Sequence, residues 1–206
     1  MEPKWIKWAK SLQAIAQNGL NYSENNFDIE RYNKIRDIAA EILASYSDVD
    51  FKVIKDLFER EKGHSTPKVD VRGAVFRDNK ILMVREIIDG GWTLPGGWAD
   101  PIETPSKAIE REVFEESGFV VKAKKVLAVY DRTKQGHIPP FPYHVYKIFF
   151  ECVLIGGREK HSIETDGVGF FAENEIPELS KARTTISQIK RIFKHYENPQ
   201  LPTDFD

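Results

Sequence analysis

Apolar residues recur at three- and four-residue steps through the first third of the chain and at closer, strand-like spacing through much of the rest. Trp5, Trp8, Leu12, Ile15 and Ala16 keep helical spacing, and Gly19 stands where a C-cap is expected. Asp28 is placed to cap a second helix with Ile29, Tyr32, Ile35, Ala39, Ile42, Leu43 and Tyr46 on one side. Phe51, Ile54, Leu57 and Phe58 mark a third, with Gly63 as its stop signal. Near residue 66 the pattern changes. Val69 to Phe76 and Ile81 to Arg85 read as strands joined by a tight turn at Asp78 and Asn79. The glycines and proline between Gly90 and Gly97 predict a loop. Thr104 can cap a helix that has Pro105 at its first position and closes at Gly118. Strands follow over Val120 to Tyr130, Tyr143 to Leu154 and Val168 to Phe171. Thr184 or Thr185 opens a last helix ending near Tyr196, and Asn198 to Asp206 reads as an extended tail.

The pattern therefore predicts an all-helical segment over residues 1–66 and a strand-rich body over 67–206. The apolar stripes of the helical segment need cover. They pack on each other and on the body, or on a second subunit.

Composition narrows the class. With 41% hydrophobic and 30% charged residues among 206, the chain has the makeup of a globular protein rather than a disordered one. No apolar run approaches the roughly 20 residues that span a bilayer. The first residues, with Lys7, Lys10 and Gln13, hold no uninterrupted apolar stretch of the secretory kind. The single Cys152 supplies neither an internal disulfide nor a cysteine-rich zinc site. A cytoplasmic location is the expectation. A net charge of -2 argues against a strongly basic nucleic-acid footprint. Lys122, Lys124, Lys125, Lys181, Arg183, Lys190, Arg191 and Lys194 leave open a local strip for RNA.

The chemistry concentrates between Gly97 and Phe119. On a helix, Glu112, Glu115 and Glu116 fall within about 100° of arc. Taken alone, such a cluster also describes a solvated acidic face. If the three converge, their repulsion calls for a cation, and oxygen donors without His or Cys select Mg2+ or Mn2+ over zinc. Arg111 is placed to neutralise a neighbouring carboxylate. Gly96 and Gly97 allow the main chain to approach a ligand closely, with a carbonyl as a further donor. His137, His144 and His161 share no metal-ligand spacing.

The full pattern reads G-x5-E-x7-R-E-V-F-E-E-S-G-F, and Gly97 to Phe119 resembles the 23-residue box of the Nudix hydrolases at every defining position. The W-T-L-P-G-G run from Trp92 to Gly97 and the stretch from Phe170 to Leu179 resemble that family too. The helical front, with the junction from Gly63 to Phe76, is similar to a bacterial subgroup that includes CDP-choline pyrophosphatases. The resemblance implies an α+β chain: an α/β/α sandwich around a mixed sheet, preceded by a small all-helical domain that dimerises or supports the substrate site.

It further implies metal-dependent hydrolysis of a nucleoside diphosphate linked to another moiety. Glu112, Glu115, Glu116 and the Gly96 carbonyl would hold the metal, while Glu103 and Arg111 support the loop and helix. Glu164 is the expected general base outside the box, with Glu112 as its competitor. Arg72 and Arg85 are candidates to hold phosphate, each equally readable as a surface ion pair. Trp92, Phe141, Tyr143 and Tyr146 are candidates to contact a base or a choline-like cation, though aromatics at such positions are most often core. The position at which ADP-ribose-directed members often carry proline is Gln135 here. The resemblance of the helical front makes a CDP-choline-like substrate the favoured one, with ADP-ribose the alternative. RNA-directed hydrolysis and a non-catalytic nucleotide-binding module remain as different classes, and a homodimer is expected.

Overall fold

A computed structural model describes residues 2–206. The chain divides into two compact units: residues up to Pro67 together with Pro140–His144, and Lys68–Pro139 together with Val145–Asp206. The grouping of residues 140–144 with the helices was not visible in the periodicity.

The first unit is built on α1 (Lys4–Tyr22), α2 (Asn26–Ser45) and α3 (Phe51–Arg60). Its core is Ile6, Ala9, Ala39, Ala40, Leu43, Ile54 and Phe58. The alanines let α1 and α2 approach closely. Gly19 does the same inside α1: a side chain there would meet the Tyr32 ring at 2.3 Å. Gly19 is therefore a packing residue and not the expected cap, and the helix runs one turn further. Asn25, not Asp28, caps α2, accepting from the Phe27 amide; Asp28 pairs with Arg31 in the first turn. The buried face of α1 is turned by one residue from the expected stripe. Ile6, Ala9, Gln13 and Ala16 point inward, while Trp8 and Ile15 are exposed.

The second unit carries strands β1 (Lys68–Arg77), β2 (Lys80–Glu86), β3 (Trp92–Thr93), β4 (Phe119–Asp131), β5 (Val145–Gly157), β6 (Thr165–Phe171) and β7 (Asp204–Phe205). Its helices are α4 (Pro105–Ser117) and α5 (Ile186–Glu197). The seven strands run in the order β3-β2-β1-β5-β4-β7, with β6 also paired to β2. β1 lies parallel to β5, whereas β4 with β5 and β2 with β6 are antiparallel, so the sheet is mixed. Asp78 and Asn79 both adopt positive φ, the geometry of a tight hairpin turn between β1 and β2.

Strand alternation makes the two faces. Val71 and Val75 of β1, Leu82 of β2 and Cys152 of β5 pack with Ala108, Ile109 and Val113 of α4. Ala74, Ile81, Met83 and Phe149 pack on the other face with Ile189, Ile192 and Phe193 of α5. Each fully buried large apolar side chain contributes about 1.5–3 kcal/mol. Gly73 draws α4 onto the sheet, since a β-carbon there would meet Val113 at 2.8 Å. The result is the α/β/α sandwich expected from the sequence. The tail ends in β7, a short strand parallel to β4.

Candidate active site

α4 is fixed at both ends, which sets the direction of its acidic face. Thr104 accepts from the Lys107 amide, Pro105 occupies the first turn, and Gly118 closes the helix at φ +75°. Facing the helix is the loop after β3. Gly96 has φ +139°, and any side chain there would strike the Val71 carbonyl at 2.0 Å. This backbone lets the Gly96 amide donate to Glu116 Oε2 at 2.8 Å. Gly97 leaves room for the Glu112 carboxylate, which a β-carbon would meet at 2.9 Å.

A cavity of about 1110 Å3 opens within the second unit. Glu112, Glu115, Glu116, Gly96, Arg72 and Glu164 all line it, so six of the expected site residues share one wall system. Glu164 comes from the loop between β5 and β6, held where its carbonyl accepts from the Ile87 amide. Trp92, Arg85 and Tyr143 lie elsewhere. Trp92 packs edge-on against Phe171 in the α5-side core. Arg85 pairs with Asp166 at 2.7 Å on the surface. Tyr143 belongs to the 140–144 segment of the helical unit, where its ring meets Phe141.

The three box carboxylates are held differently. Glu116 is buried, and burial pushes its carboxyl up to about 8, with Arg72 and the Gly96 amide opposing and Glu112 and Glu86 adding to the rise. Burial also raises Glu112, against the neighbouring Arg111. Arg111 bridges Glu103, Glu112 and Glu115, reaching each at 3.1, 2.9 and 2.9 Å. Among the described residues no three Asp, Glu, His or Cys side chains form a ready-made metal cage. Arg111 holds Glu112 and Glu115, while Glu116 turns to the loop.

Arg72 is more a pillar than a free cation. Its guanidinium gives two nitrogens to Asp70, at 2.9 and 2.8 Å, and a third to the Leu94 carbonyl. Lys147, opposite Asp70 in the parallel register, adds a bond of 2.7 Å to the same carboxylate. Burial alone would raise Asp70, but Arg72 and Lys147 outweigh it and hold the carboxyl at about 2. Sequence reasoning missed this triad, and it missed Glu86, Trp98, Phe114 and Arg183, which also line the cavity. Alternation gave no signal for Glu86, because β2 is buried on both faces over Ile81–Val84.

The sheet order, the loop and the three glutamates on one helix are now joined by direct likeness. A sequence model of the NUDIX domain matches residues 66–194. The chain belongs to the Nudix family. A second model, described as a UDP-X-like, N-terminal oligomerisation domain, matches residues 3–58. A Bacillus subtilis protein provisionally named ADP-ribose pyrophosphatase YjhB is 44% identical over 206 residues, covering 100% of this chain and 99% of that one. The solved structure of a UDP-X diphosphatase is 30% identical with a TM-score of 0.65, covering 98% of each chain. The structure of an ADP-ribose pyrophosphatase from Streptococcus suis is 37% identical with a TM-score of 0.63, covering 68% of this chain and 100% of that one. As a Nudix hydrolase, the protein is a pyrophosphatase, and enzymes of this family generally use divalent metal ions.

Proposed function

We propose that the protein is a Mg2+- or Mn2+-dependent pyrophosphohydrolase acting on a nucleoside diphosphate linked to another moiety, with ADP-ribose its foremost substrate. The observation that carries this is that Glu112, Glu115 and Glu116 line one cavity together with Gly96. ADP-ribose is supported by the full-length relative bearing that activity in its name. CDP-choline is the second reading. Likeness of the helical front to a UDP-X-like domain favours a pyrimidine nucleotide.

The donor set is all oxygen and fits Mg2+ or Mn2+ in kind. Glu112, Glu115 and Glu116, with the Gly96 carbonyl, would hold the metal, and a buried carboxylate driven toward its neutral form gains a counter-charge there. When bound, the metal neutralises the diphosphate and lowers the pKa of an attacking water. Arg111 positions Glu112 and Glu115. Glu164, which lines the cavity from the loop before β6, would act as the general base for an attacking water. The sandwich core keeps these groups fixed, so the protein's contribution is position and electrostatics.

RNA-directed hydrolysis draws less support. Lys122 pairs with Glu110, Lys124 with Glu151 and Arg191 with Asp204, so much of the expected basic strip is engaged. The helical unit serves, in this reading, as the homodimer contact. Incubation with ADP-ribose, CDP-choline and UDP-glucose in Mg2+ or Mn2+, with products identified by mass, tests the assignment. AMP and ribose 5-phosphate are the expected products of the first; nucleotide binding with no product from any substrate would favour the non-catalytic module.

A further inference from the structure

Arg72, Arg111, Arg183 and Lys160 line the cavity, and a diphosphate held there would draw on such cations. Two of its arginines are already committed. Arg72 spends its guanidinium on Asp70 and the Leu94 carbonyl. Arg111 is shared among the box carboxylates. Arg85, the other arginine expected to hold phosphate, lies outside the cavity and pairs with Asp166.

Arg183 differs from all three. It lies in the segment that precedes α5, with its amide fixed to the Ser180 carbonyl. The inner nitrogen Nε is buried and stands 2.5 Å from Glu86 Oε1, an ion pair without hydrogen-bond alignment. Glu86 is itself buried, with 4% of its side chain exposed against 34% for Arg183. Its backbone is tied on both sides, the amide to the Gly91 carbonyl and the carbonyl to the Gly90 amide. The carboxylate thus sets a fixed negative charge beside the inner edge of the guanidinium, at a strand end. Arg183 is among the residues that line the cavity. A guanidinium held by charge beside a buried carboxylate, on the wall of the cavity, is preorganised for a phosphate.

We propose that Arg183 contacts the substrate diphosphate directly and that Glu86 is its positioning residue. This rests on the pyrophosphohydrolase reading above, but its test does not require turnover. The probe is α,β-methylene ADP, whose bridging carbon resists hydrolysis, titrated in Mg2+ into the full chain. Arg183→Gln is expected to weaken binding at least tenfold, since a hydrogen bond to a charged group is worth about 1.5–3 kcal/mol. Arg183→Lys should recover part of that loss. Glu86→Gln should weaken binding less than Arg183→Gln, and in turnover of ADP-ribose its effect should fall on KM more than on kcat. Because removing Arg183 alone leaves Glu86 buried and unpaired, the double variant Glu86→Gln/Arg183→Gln serves as the folding control. It should melt near wild type and still bind the probe at least tenfold more weakly. Affinity within twofold of wild type in the double variant, or no binding by the wild type, overturns the proposal. Failure of the hydrolytic reading would show instead as intact substrate with probe binding preserved.

Discussion

Glu116 carries the sharpest residue-level expectation. It is buried, faces the cavity and accepts from the Gly96 amide. Glutamine keeps the shape and one acceptor but cannot ionise to serve as a charged metal ligand. Glu116→Gln should lose at least about 100-fold in kcat/KM, the scale of losing one preorganised electrostatic contact, with an unchanged circular dichroism spectrum. His137 gives a second expectation. Burial, with Lys147 and Arg132 nearby, lowers its pKa from 6.5 to about 3. Nδ1 donates to the Lys181 carbonyl and Nε2 accepts from Gln188. Below pH 6.5 the unfolded chain takes a proton that the folded chain refuses, so stability is lost as pH falls from about 6.5 toward about 3. Urea unfolding at pH 7.5 and 5 should show a shallower pH slope in His137→Gln than in wild type. The box residues could be read directly because their spacing is itself the signal. Glu86 and Arg183 could not, because a lone glutamate at a strand end and an arginine before a helix look like surface charges until the fold buries one against the other.

At the scale of elements, the loop–helix unit is the most constrained. Gly96→Ala places a β-carbon against the Val71 carbonyl in a backbone region that L residues rarely occupy. A loss of at least about 3 kcal/mol follows from strain plus clash, read as a fall of roughly 6 °C or more in Tm. The beginning of α5 is a milder case. Thr185 and Gln188 form a reciprocal capping box, and Thr185→Ala should cost about 1 kcal/mol in thermal unfolding. Helix caps of α4 and the hairpin turn at Asp78 and Asn79 were readable from local chemistry alone. The interior role of Gly19 was not, because it depends on Tyr32 of another helix. Strand β3 and strand β7 also escaped, since a two-residue strand has no periodicity to read.

For the whole molecule, the front unit leaves Trp8, Ile15 and Tyr22 exposed at 59, 53 and 69%. Their seven-residue spacing puts them on one face of α1. These residues are the proposed homodimer contact, in keeping with the oligomerisation-domain match over residues 3–58. Sedimentation should give a dimer for the wild type and a monomer for Ile15→Glu; a monomeric wild type at working concentration would refute the contact. Among the described residues no helix is long and apolar enough to cross a membrane. The hydrophobic period changes near residue 66, beside the Pro67–Lys68 point where the first compact unit passes into the second. Which substrate the cavity takes was not legible, because the box specifies the phosphate chemistry and leaves the flanking moiety to scattered residues. The most direct measurement is product analysis of ADP-ribose turnover by the wild type, with Mg2+, with excess chelator, and beside Glu116→Gln. AMP and ribose 5-phosphate should form with metal, disappear with chelator and fall at least about 100-fold in the variant. Equal turnover in all three would contradict a metal-dependent site built on these glutamates.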